Sequence, residues 1–224
     1  LIANVSHDLR TPLAYIQGYL ETLLMKKDDL DPERLTKYLQ TSLEGTERLK
    51  NLVDELFELS RLESGNRKLD PEPILLAELV ADVMKPFQLQ ATEKGIELNM
   101  DVPIELPAVN ADLALLDRVF QNLISNSIKY CNQGDSVSVK AERISENAIQ
   151  VFVEDTGPGI AKENLSKIFD RFKRGDQLHR EGTGLGLAIV KGILDLHQCE
   201  YGIKSEERKG TQFQFTLAIY RPLT

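Results

Sequence analysis

The stretch Ser6-His7-Asp8-Leu9-Arg10-Thr11-Pro12-Leu13 places a histidine within an apolar pattern of helical spacing. The apolar side chains of this pattern recur at steps of three and four residues, at Ile2, Val5, Leu9, Leu13, Ile16, Leu20 and Leu23. Such a stripe is typical of one face of an amphipathic helix. Pro12 lies inside that helix and removes the hydrogen bond to the carbonyl of Asp8, so the sequence predicts a kink about one turn after His7.

A second apolar stripe begins after a break at residues 26–32. Asp31 fits an N-cap, Pro32 fits the first helical position and Gly65 fits the end of the helix. The members of this stripe are Leu35, Tyr38, Leu39, Ser42, Leu49, Leu52, Val53, Leu56, Leu59 and Leu62. Two long helices joined by a short loop predict an antiparallel hairpin. Because a single hairpin cannot cover both stripes, we expect two copies to pair into a four-helix bundle, and hence a homodimer.

The sequence changes character after the second stripe. Asp70-Pro71-Glu72-Pro73 is typical of a linker, and helical and alternating patterns mix beyond it. The predicted helices are 75–94, 112–130, 164–169 and 185–196, and the predicted strands are 96–100, 137–141, 149–153 and 212–219. We therefore predict a multidomain protein: an all-α hairpin domain at residues 1–66, a linker at 67–73, and an α+β domain at 74–224 with helices on one face of a sheet.

The overall composition indicates a globular protein and excludes several functional classes. Of the 224 residues, 42% are hydrophobic and 28% charged, which suits one large domain or two small ones. The net charge of −8 argues against nucleic-acid binding, which needs clustered Lys and Arg. Two cysteines form no disulfide framework, and no apolar run approaches the roughly 20 residues of a membrane helix. We expect a cytoplasmic module without direct membrane contact, and a fragment of a longer chain, since it starts within a helical pattern and without Met.

The first candidate binding motif lies on the helix predicted at residues 112–130. Asn122 and Asn126 are four residues apart and share a helix face with Lys129. The side-chain oxygen of Asn126 can coordinate Mg²⁺, which prefers oxygen ligands, and Lys129 can offset phosphate charge. Taken alone, the pattern is more often a polar helix surface.

Two glycine-rich stretches supply further parts of a nucleotide site. Asp155-Thr156-Gly157-Pro158-Gly159 follows a strand, so its carboxylate can accept a hydrogen bond from an exocyclic amine while the glycines allow a flat base to approach. Gly182-Thr183-Gly184-Leu185-Gly186 precedes an apolar helix, an arrangement that binds anions through backbone N–H groups. Taken alone, the first stretch fits an ordinary turn, and the second matches neither a P-loop nor a dinucleotide fingerprint.

Together and in this order, the blocks resemble the N box and the glycine boxes of the ATPase superfamily that includes gyrase, the Hsp90 chaperones, MutL-type repair proteins and histidine kinases. The stretch Ile168-Phe169-Asp170-Arg171-Phe172-Lys173-Arg174 resembles the F box of the kinases, and residues 6–13 resemble their H box. The resemblance covers nearly the whole chain. It implies the catalytic core of a sensor histidine kinase, with ATP and Mg²⁺ as cofactors.

The resemblance also assigns roles to individual residues. Asp155 is implied to contact adenine, Asn126 to bind the metal, and Arg174 to stabilise the moving γ-phosphoryl group, with residues 173–183 as an ATP lid. The residues implied to surround the nucleotide are Asn122, Asn126, Lys129, Tyr130, Asp155, Gly157, Gly159, Gly182, Thr183, Gly184, Leu185, Gly186 and Thr216.

The same comparison separates a kinase from an ATP hydrolase. The hydrolases of the superfamily carry a water-activating glutamate where this chain has Asn122, which cannot act as a base, so we expect slow hydrolysis. A neutral imidazole nitrogen is nucleophilic near neutral pH, and His7 is therefore the expected phosphoryl acceptor. The resemblance implies that Asp8 is the general base and that Thr11 orients a water for dephosphorylation of a partner.

The sequence thus predicts an ATP-dependent protein-histidine kinase that phosphorylates His7 and passes the group to an aspartate of a response regulator receiver domain. No receiver domain follows Thr224, so the regulator is expected to be a separate chain, and the full-length parent is expected to be anchored in the plasma membrane. Two alternatives stay open: a dimeric scaffold without turnover, which absence of nucleotide binding would favour, and an ATPase clamp, which rapid turnover without a phosphoprotein would favour.

Overall fold

The computed structural model describes residues 2–26, 30–65, 67–171 and 183–222, with side chains from Leu9 onward. The chain divides into two compact units, Leu1–Ser60 and Arg61–Thr224. His7 and Asp8 lie on described helical backbone, while Arg174 and Gly182 lie outside the described residues.

Two long helices confirm the predicted hairpin. Helix α1 (Ile2–Met25) continues through Pro12, and helix α2 (Pro32–Glu63) follows. Asp31 caps α2 as expected: its Oδ1 accepts the Arg34 N–H at 2.9 Å and its carbonyl accepts the Leu35 N–H at 3.0 Å. Gly65, with a φ of +65°, follows the end of the helix, which is the left-handed position that glycine favours.

The two helices of the hairpin pack through small and aromatic side chains. The rings of Tyr19 and Tyr38 lie 5.3 Å apart. A Cβ at Gly45 would lie 2.8 Å from Cγ1 of Ile16, so glycine allows α1 to approach α2. Many large apolar side chains of this hairpin are nevertheless exposed in the single chain: Leu13, Tyr15, Leu20, Leu24, Met25, Leu39, Leu43 and Phe57.

The second unit combines strands and helices. Its strands are β1 (Glu72–Ile74), β2 (Glu97–Asp101), β3 (Val109–Ala111), β4 (Ser136–Arg143), β5 (Ala148–Asp155), β6 (Tyr201–Glu206) and β7 (Gly210–Ala218). Its helices are α3 (Leu76–Met84), α4 (Phe87–Lys94), α5 (Leu113–Tyr130), α6 (Lys162–Leu165) and α7 (Gly186–Leu196). Strands β1 and β3 form an antiparallel pair, and the other strands form a five-stranded sheet of order β2-β4-β5-β7-β6. Only β2 and β4 are parallel among the pairs of this sheet.

One face of the five-stranded sheet is covered by helices. The buried residues of the central strands alternate, as at Val137 and Val139 of β4 and at Phe213 and Phe215 of β7. Helices α5 and α7 contribute the opposing layer, with Phe120 and Ile189 fully buried. This two-layer α/β arrangement confirms the predicted fold class, because a sheet that is apolar on one face must bury that face against another layer.

The structure corrects some of the predicted elements. The helix predicted at 75–94 is two helices, α3 and α4, because Pro86 has no N–H to continue α3 and instead begins α4. Strands β1, β3 and β6 were not predicted, and β1 takes Glu72 and Pro73 from the segment predicted as linker. Residues 166–169 form turns after the short helix α6 rather than extending it.

Asp112 fixes the start of α5. Its Oδ1 accepts the Leu115 N–H at 3.1 Å and its Oδ2 accepts the Asp70 N–H at 3.3 Å. The Asp112 N–H donates in turn to Nε2 of His197 at 3.1 Å, while Nδ1 of His197 lies 2.9 Å from the Ile193 carbonyl. Because Nε2 accepts a hydrogen bond, the proton of this neutral imidazole is on Nδ1. His197 therefore joins the end of α7 to the start of α5.

None of the helices in the described part of the chain is both long and apolar enough to span a bilayer.

Candidate nucleotide-binding site

The carboxylate of Asp155 is fixed at the end of β5 by three hydrogen bonds. Oδ1 accepts the N–H groups of Gly157 at 3.1 Å and Thr211 at 3.2 Å, and Oδ2 accepts the hydroxyl of Ser127 at 3.2 Å. The donors come from the following turn, from β7 and from α5. A carboxylate held from three elements is preorganised as a hydrogen-bond acceptor.

The electrostatic environment of Asp155 opposes its negative charge. Burial raises the pKa of this carboxyl above its usual value; the hydrogen bonds from Gly157, Ser127 and Thr211 lower it in part, and the nearby Asp135 raises it further. Such a group gains from a ligand that donates a hydrogen bond to the ionised form.

Glycines allow the turn after Asp155 to pack against the turn between β6 and β7. Gly159 has a φ of +69°, and a Cβ there would lie 2.0 Å from the Glu206 carbonyl oxygen. Gly210 has a φ of +107°, and its Cβ would lie 1.9 Å from the Asp155 carbonyl oxygen. No other residue fits at either position without moving backbone, so both glycines hold the Asp155 turn in place.

The second part of the site joins α5 to the beginning of α7. A Cβ on Gly186 would lie 2.7 Å from Oδ1 of Asn122 and 3.8 Å from Nδ2 of Asn126. The Asn122 side chain is itself held by a 2.9 Å hydrogen bond from Nδ2 to the Arg118 carbonyl. The N-terminus of α7, which carries the positive end of the helix dipole, is therefore beside the two asparagines.

The residues before α7 are ordered by local contacts. Gly184 has a φ of +74°, Oγ1 of Thr183 accepts the Leu185 N–H at 3.3 Å, and Leu185 is fully buried. Leu185 thus anchors the glycine-rich stretch in the core, while Gly184 gives the backbone a conformation that other residues avoid.

Lys129 and Tyr130 lie on the last turn of α5. The ammonium of Lys129 is 4.9 Å from the centre of the Tyr130 ring, a cation–π distance. Cys131 follows and is buried. Burial and the charges of Asp155 and Asp135 raise the pKa of its thiol to about 12, which makes it an unreactive small hydrophobe.

One residue predicted for the site is placed elsewhere. Thr216 pairs in register with Gln150, and its hydroxyl donates to Oε1 of Gln150 at 3.0 Å. Thr211, five residues earlier on β7, is the residue in register with Asp155. The geometry brings Thr211, and not Thr216, to the Asp155 carboxylate.

Sequence reasoning did not find Thr211 or Ser127. Ser127 is buried on the inner face of α5, and a polar residue within an apolar helical stripe was the available signal. Thr211 contributes a backbone N–H, so its role depends on strand register and gives no signal in the residue type.

The predicted H-box residues share the first helix. His7, Asp8 and Thr11 all lie on α1, and Thr11 is exposed one turn after His7. Residues four apart lie on the same face of a helix. The side chains of His7 and Asp8 are outside the described part of the structure.

Comparison with known proteins identifies both units. The family described as histidine kinase-, DNA gyrase B-, and HSP90-like ATPase matches residues 111–221, and the His Kinase A (phospho-acceptor) domain family matches residues 1–65. The uncharacterized sensor-like histidine kinase ycf26 of Pyropia yezoensis is 37% identical over 232 residues, which cover 97% of this chain and 35% of that protein.

Solved structures agree with these matches. Full-length ShkA in complex with AMPPNP superposes with a TM-score of 0.75 at 29% identity, over 98% of this chain and 46% of that chain. Histidine kinase ThkA, in complex with the response regulator protein TrrA, gives a TM-score of 0.77 at 27% identity, over 98% of this chain and 61% of that chain.

The chain therefore belongs to the sensor histidine kinases, and it carries their phospho-acceptor and ATPase-like modules in that order. The family resemblance predicted from the motifs is confirmed. The chain spans about a third of the length of the curated relatives it matches, 35% for each of two and 36% for another.

Proposed function

We propose that this chain is the catalytic core of an ATP-dependent protein-histidine kinase. It transfers the γ-phosphoryl group of ATP to His7 and then to an aspartate of a separate response regulator. The observation that carries the proposal is that α5 contacts both halves of the candidate site. Its Ser127 donates a hydrogen bond to the Asp155 carboxylate, and its Asn122 packs against the start of α7.

Asp155 is the adenine-binding residue in this proposal. The exocyclic amine of adenine donates to the carboxylate that the Ser127, Gly157 and Thr211 donors hold in place. A donor from the base favours the ionised form of Asp155, which burial disfavours. Thr211 replaces Thr216 as the residue of β7 nearest to the base.

The phosphates lie toward Asn126 and the N-terminus of α7. The backbone N–H groups at the start of α7 and the charge of Lys129 favour an anion there. The partly exposed Asn126 offers an amide oxygen, the ligand type that Mg²⁺ accepts while it keeps phosphate oxygens and waters. Bound Mg²⁺ would neutralise charge on the β- and γ-phosphates. The complex of full-length ShkA with AMPPNP supports a nucleotide at this type of fold.

The chemical step is assigned to residues of the H box and F box. A ring nitrogen of neutral His7 attacks the γ-phosphorus, a P–N bond forms, and the bond from phosphorus to the bridging oxygen of ADP breaks. Asp8 accepts the proton of the other ring nitrogen, and Arg174 balances charge on the moving phosphoryl group. The amide of Asn122 cannot accept a proton from water, so hydrolysis of ATP by water should be slow.

The helical unit is also proposed to dephosphorylate the response regulator. Thr11, one turn from His7 on α1, orients a water for dephosphorylation of the regulator.

The exposed apolar side chains of the hairpin, such as Leu20, Leu39 and Leu43, form the dimer interface of a four-helix bundle. The complex of ThkA with TrrA supports a response regulator as the partner, and the parent protein is proposed to be anchored in the plasma membrane.

The test is incubation of the chain with γ-labelled ATP and Mg²⁺ beside a His7→Gln variant. We expect label that is acid-labile and alkali-stable on the native chain and absent from the variant. A chain that binds no nucleotide and takes no label would favour the scaffold, and rapid release of inorganic phosphate without labelled protein would favour the ATPase clamp. Either result would refute the kinase.

A further inference from the structure

A chain of aromatic rings links the F box to the core of the ATP-binding unit. The ring of Phe169, in the turn after α6, forms a T-shaped pair with the ring of Tyr201, with centroids 5.9 Å apart and planes at 66°. It makes a second edge-on contact with Phe213 at 6.2 Å and 69°. Edge-to-face pairs at this distance are favourable beyond the area they bury.

The rings continue from Tyr201 into the core. Tyr201 and Phe213 stack with planes at 7° and centroids 6.4 Å apart, and Phe213 contacts Phe215 at 6.4 Å. Phe215 contacts Phe120 at 5.8 Å. Phe120 lies on α5, two residues before Asn122, so the rings connect the F box to the helix that carries the N box.

The hydroxyl of Tyr201 is held by two side chains of α7. It donates to Oδ1 of Asp195 at 2.9 Å and accepts from Nζ of Lys191 at 2.8 Å. Lys191 and Asp195 are four residues apart on α7 and are joined at 2.7 Å, and Nζ of Lys191 lies 5.6 Å from the Tyr201 ring centre. The bonds to Asp195 and Tyr201 raise the pKa of Lys191.

We infer that Tyr201 is a positioning residue of this kinase. Tyr201 lies on β6, its hydroxyl is bonded to Lys191 and Asp195 of α7, and its ring holds Phe169 and thereby the start of the F box. The inference rests on the proposed function, in which Arg174, five residues after Phe169 in the sequence, acts on the γ-phosphoryl group.

Tyr201 is separated from the adenine contact. It pairs in register with Phe215, four residues along β7 from Thr211, a distance of about 13 Å along a strand. Loss of Tyr201 should therefore slow transfer from bound ATP and leave the binding of ATP unchanged.

The anchoring of Phe169 can be measured without any enzymatic activity. The chain contains no tryptophan, so F169W supplies a single emitter at the F box. With Tyr201 present, we expect emission at short wavelength with high anisotropy. Adding Y201L should shift the emission to longer wavelength and lower the anisotropy, and adding Y201F, which keeps the ring, should give a smaller change.

The effect on transfer is measured in the chain without F169W. We expect Y201L to lower the maximal rate of His7 labelling about 3- to 10-fold, the size expected for lost aromatic contacts. The ATP concentration at half-maximal rate should stay the same, and Y201F should recover most of the rate. The matched control is Y220F, because Tyr220 is exposed and outside the ring chain; it should match wild type.

The outcomes are distinguishable. A maximal rate unchanged in Y201L, or a loss confined to ATP affinity, overturns the positioning role. A wild-type chain that takes no label refutes the proposed function and the role in transfer with it. Even then, the F169W emission decides the structural part: no shift with Y201L overturns the anchor, and a shift supports it.

Discussion

At the scale of single residues, the Asp155 carboxylate is held by three hydrogen bonds in surroundings that disfavour its negative charge. Burial raises its pKa in the folded chain, so between the unfolded and the folded pKa the folded state binds more protons than the unfolded state. The free energy of unfolding therefore falls as pH rises through this interval, and the ionised carboxylate destabilises the nucleotide-free protein at neutral pH.

Asp155→Asn should separate binding from stability. The amide oxygen can accept from Gly157 and Thr211, as Oδ1 does now, and its NH₂ can donate to the Ser127 hydroxyl. We expect a melting temperature equal to or above that of wild type at pH 7, and ATP affinity at least about tenfold lower, because an acceptor for the adenine amine is lost. Thermal unfolding and titration calorimetry with AMPPNP measure both.

Glu154→Gln is the matched control for that variant. Glu154 is the preceding residue of β5 and bonds Lys140 at 2.7 Å. Burial raises the pKa of Glu154, but the bonds from Lys140 and Gln212 lower it more, so the net shift is downward. This variant should keep ATP affinity and lose stability at pH 7. Wild-type ATP affinity in Asp155→Asn would contradict the adenine assignment.

Gly186→Ala tests the contact between the N box and α7. The new Cβ would meet Oδ1 of Asn122 at 2.7 Å, so Asn122 or the start of α7 must shift. We expect ATP affinity to fall while the sheet remains folded, as measured by calorimetry and circular dichroism. Gly18→Ala is the control: Gly18 lies inside α1 with nothing within 4 Å, so alanine there should raise stability by up to about 1 kcal/mol. Unchanged affinity in Gly186→Ala would refute a phosphate site at α7.

The predicted site residues are those whose type and spacing form a motif, whereas Ser127 and Thr211, which no motif marks, were missed. Asp155 and Gly186 were recognisable because their types and spacing match the chemistry of nucleotide binding. Thr211 acts through its backbone N–H, and only the pairing of β5 with β7 shows that it lies beside Asp155. Thr216 was implied by the family resemblance, but it lies five residues along β7 from Thr211, the residue that pairs with Asp155.

At the scale of elements, α5 depends on its N-cap. Asp112→Ala removes acceptors from the N–H groups of Leu115 and Asp70. We expect the free energy of unfolding to fall by about 1–2 kcal/mol, the usual cost of losing an N-cap, as measured by urea denaturation. Asp112→Asn keeps an amide oxygen for the cap and should lose much less. Equal losses for the two variants would show that the charge of Asp112, not the cap, stabilises the helix.

Helices and strands were predicted correctly where the apolar pattern was long and regular. They were missed where a single proline or a pairing with a distant strand determines the structure. Helix α5 was predicted within one residue, since its stripe runs for 18 residues and Asp112 marks its start. The break between α3 and α4 was missed although Pro86 signals it, because the apolar residues continue on both sides. Strand β6 contains Gly202 and has weak alternation, and its pairing with β7 is what makes it a strand.

At the scale of the whole molecule, the hairpin should determine the oligomeric state. Leu39 and Leu43 lie one turn apart on α2 and are 51% and 61% exposed in the single chain, which is unfavourable for large apolar side chains unless a partner covers them. We expect the wild-type chain to be dimeric in sedimentation-equilibrium experiments and the double variant Leu39→Glu/Leu43→Glu to be monomeric. Leu89→Glu, at a 69% exposed position of α4, should leave the dimer intact. A double variant that stays dimeric would place the interface elsewhere.

The arrangement of the site belongs to this scale as well. Asn122, Asp155 and Gly186 are more than 30 residues apart in sequence, and the hydrogen bond from Ser127 to Asp155 and the packing of Gly186 against Asn122 bring all three to α5. Motif order indicated the family, whereas the shared use of α5 by both halves of the site became visible only in the fold.

The bonds of His197 also determine how chemical labelling of this protein should be interpreted. Both of its ring nitrogens are engaged, Nε2 by the Asp112 N–H and Nδ1 by the Ile193 carbonyl, so neither has a lone pair available for an electrophile in the native state. An acylating reagent such as diethyl pyrocarbonate should therefore leave His197 unmodified until the protein unfolds. The chain has three histidines, so modification of the native protein should be confined to His7 and His179. Reaction at His197 would then measure the separation of α7 from α5.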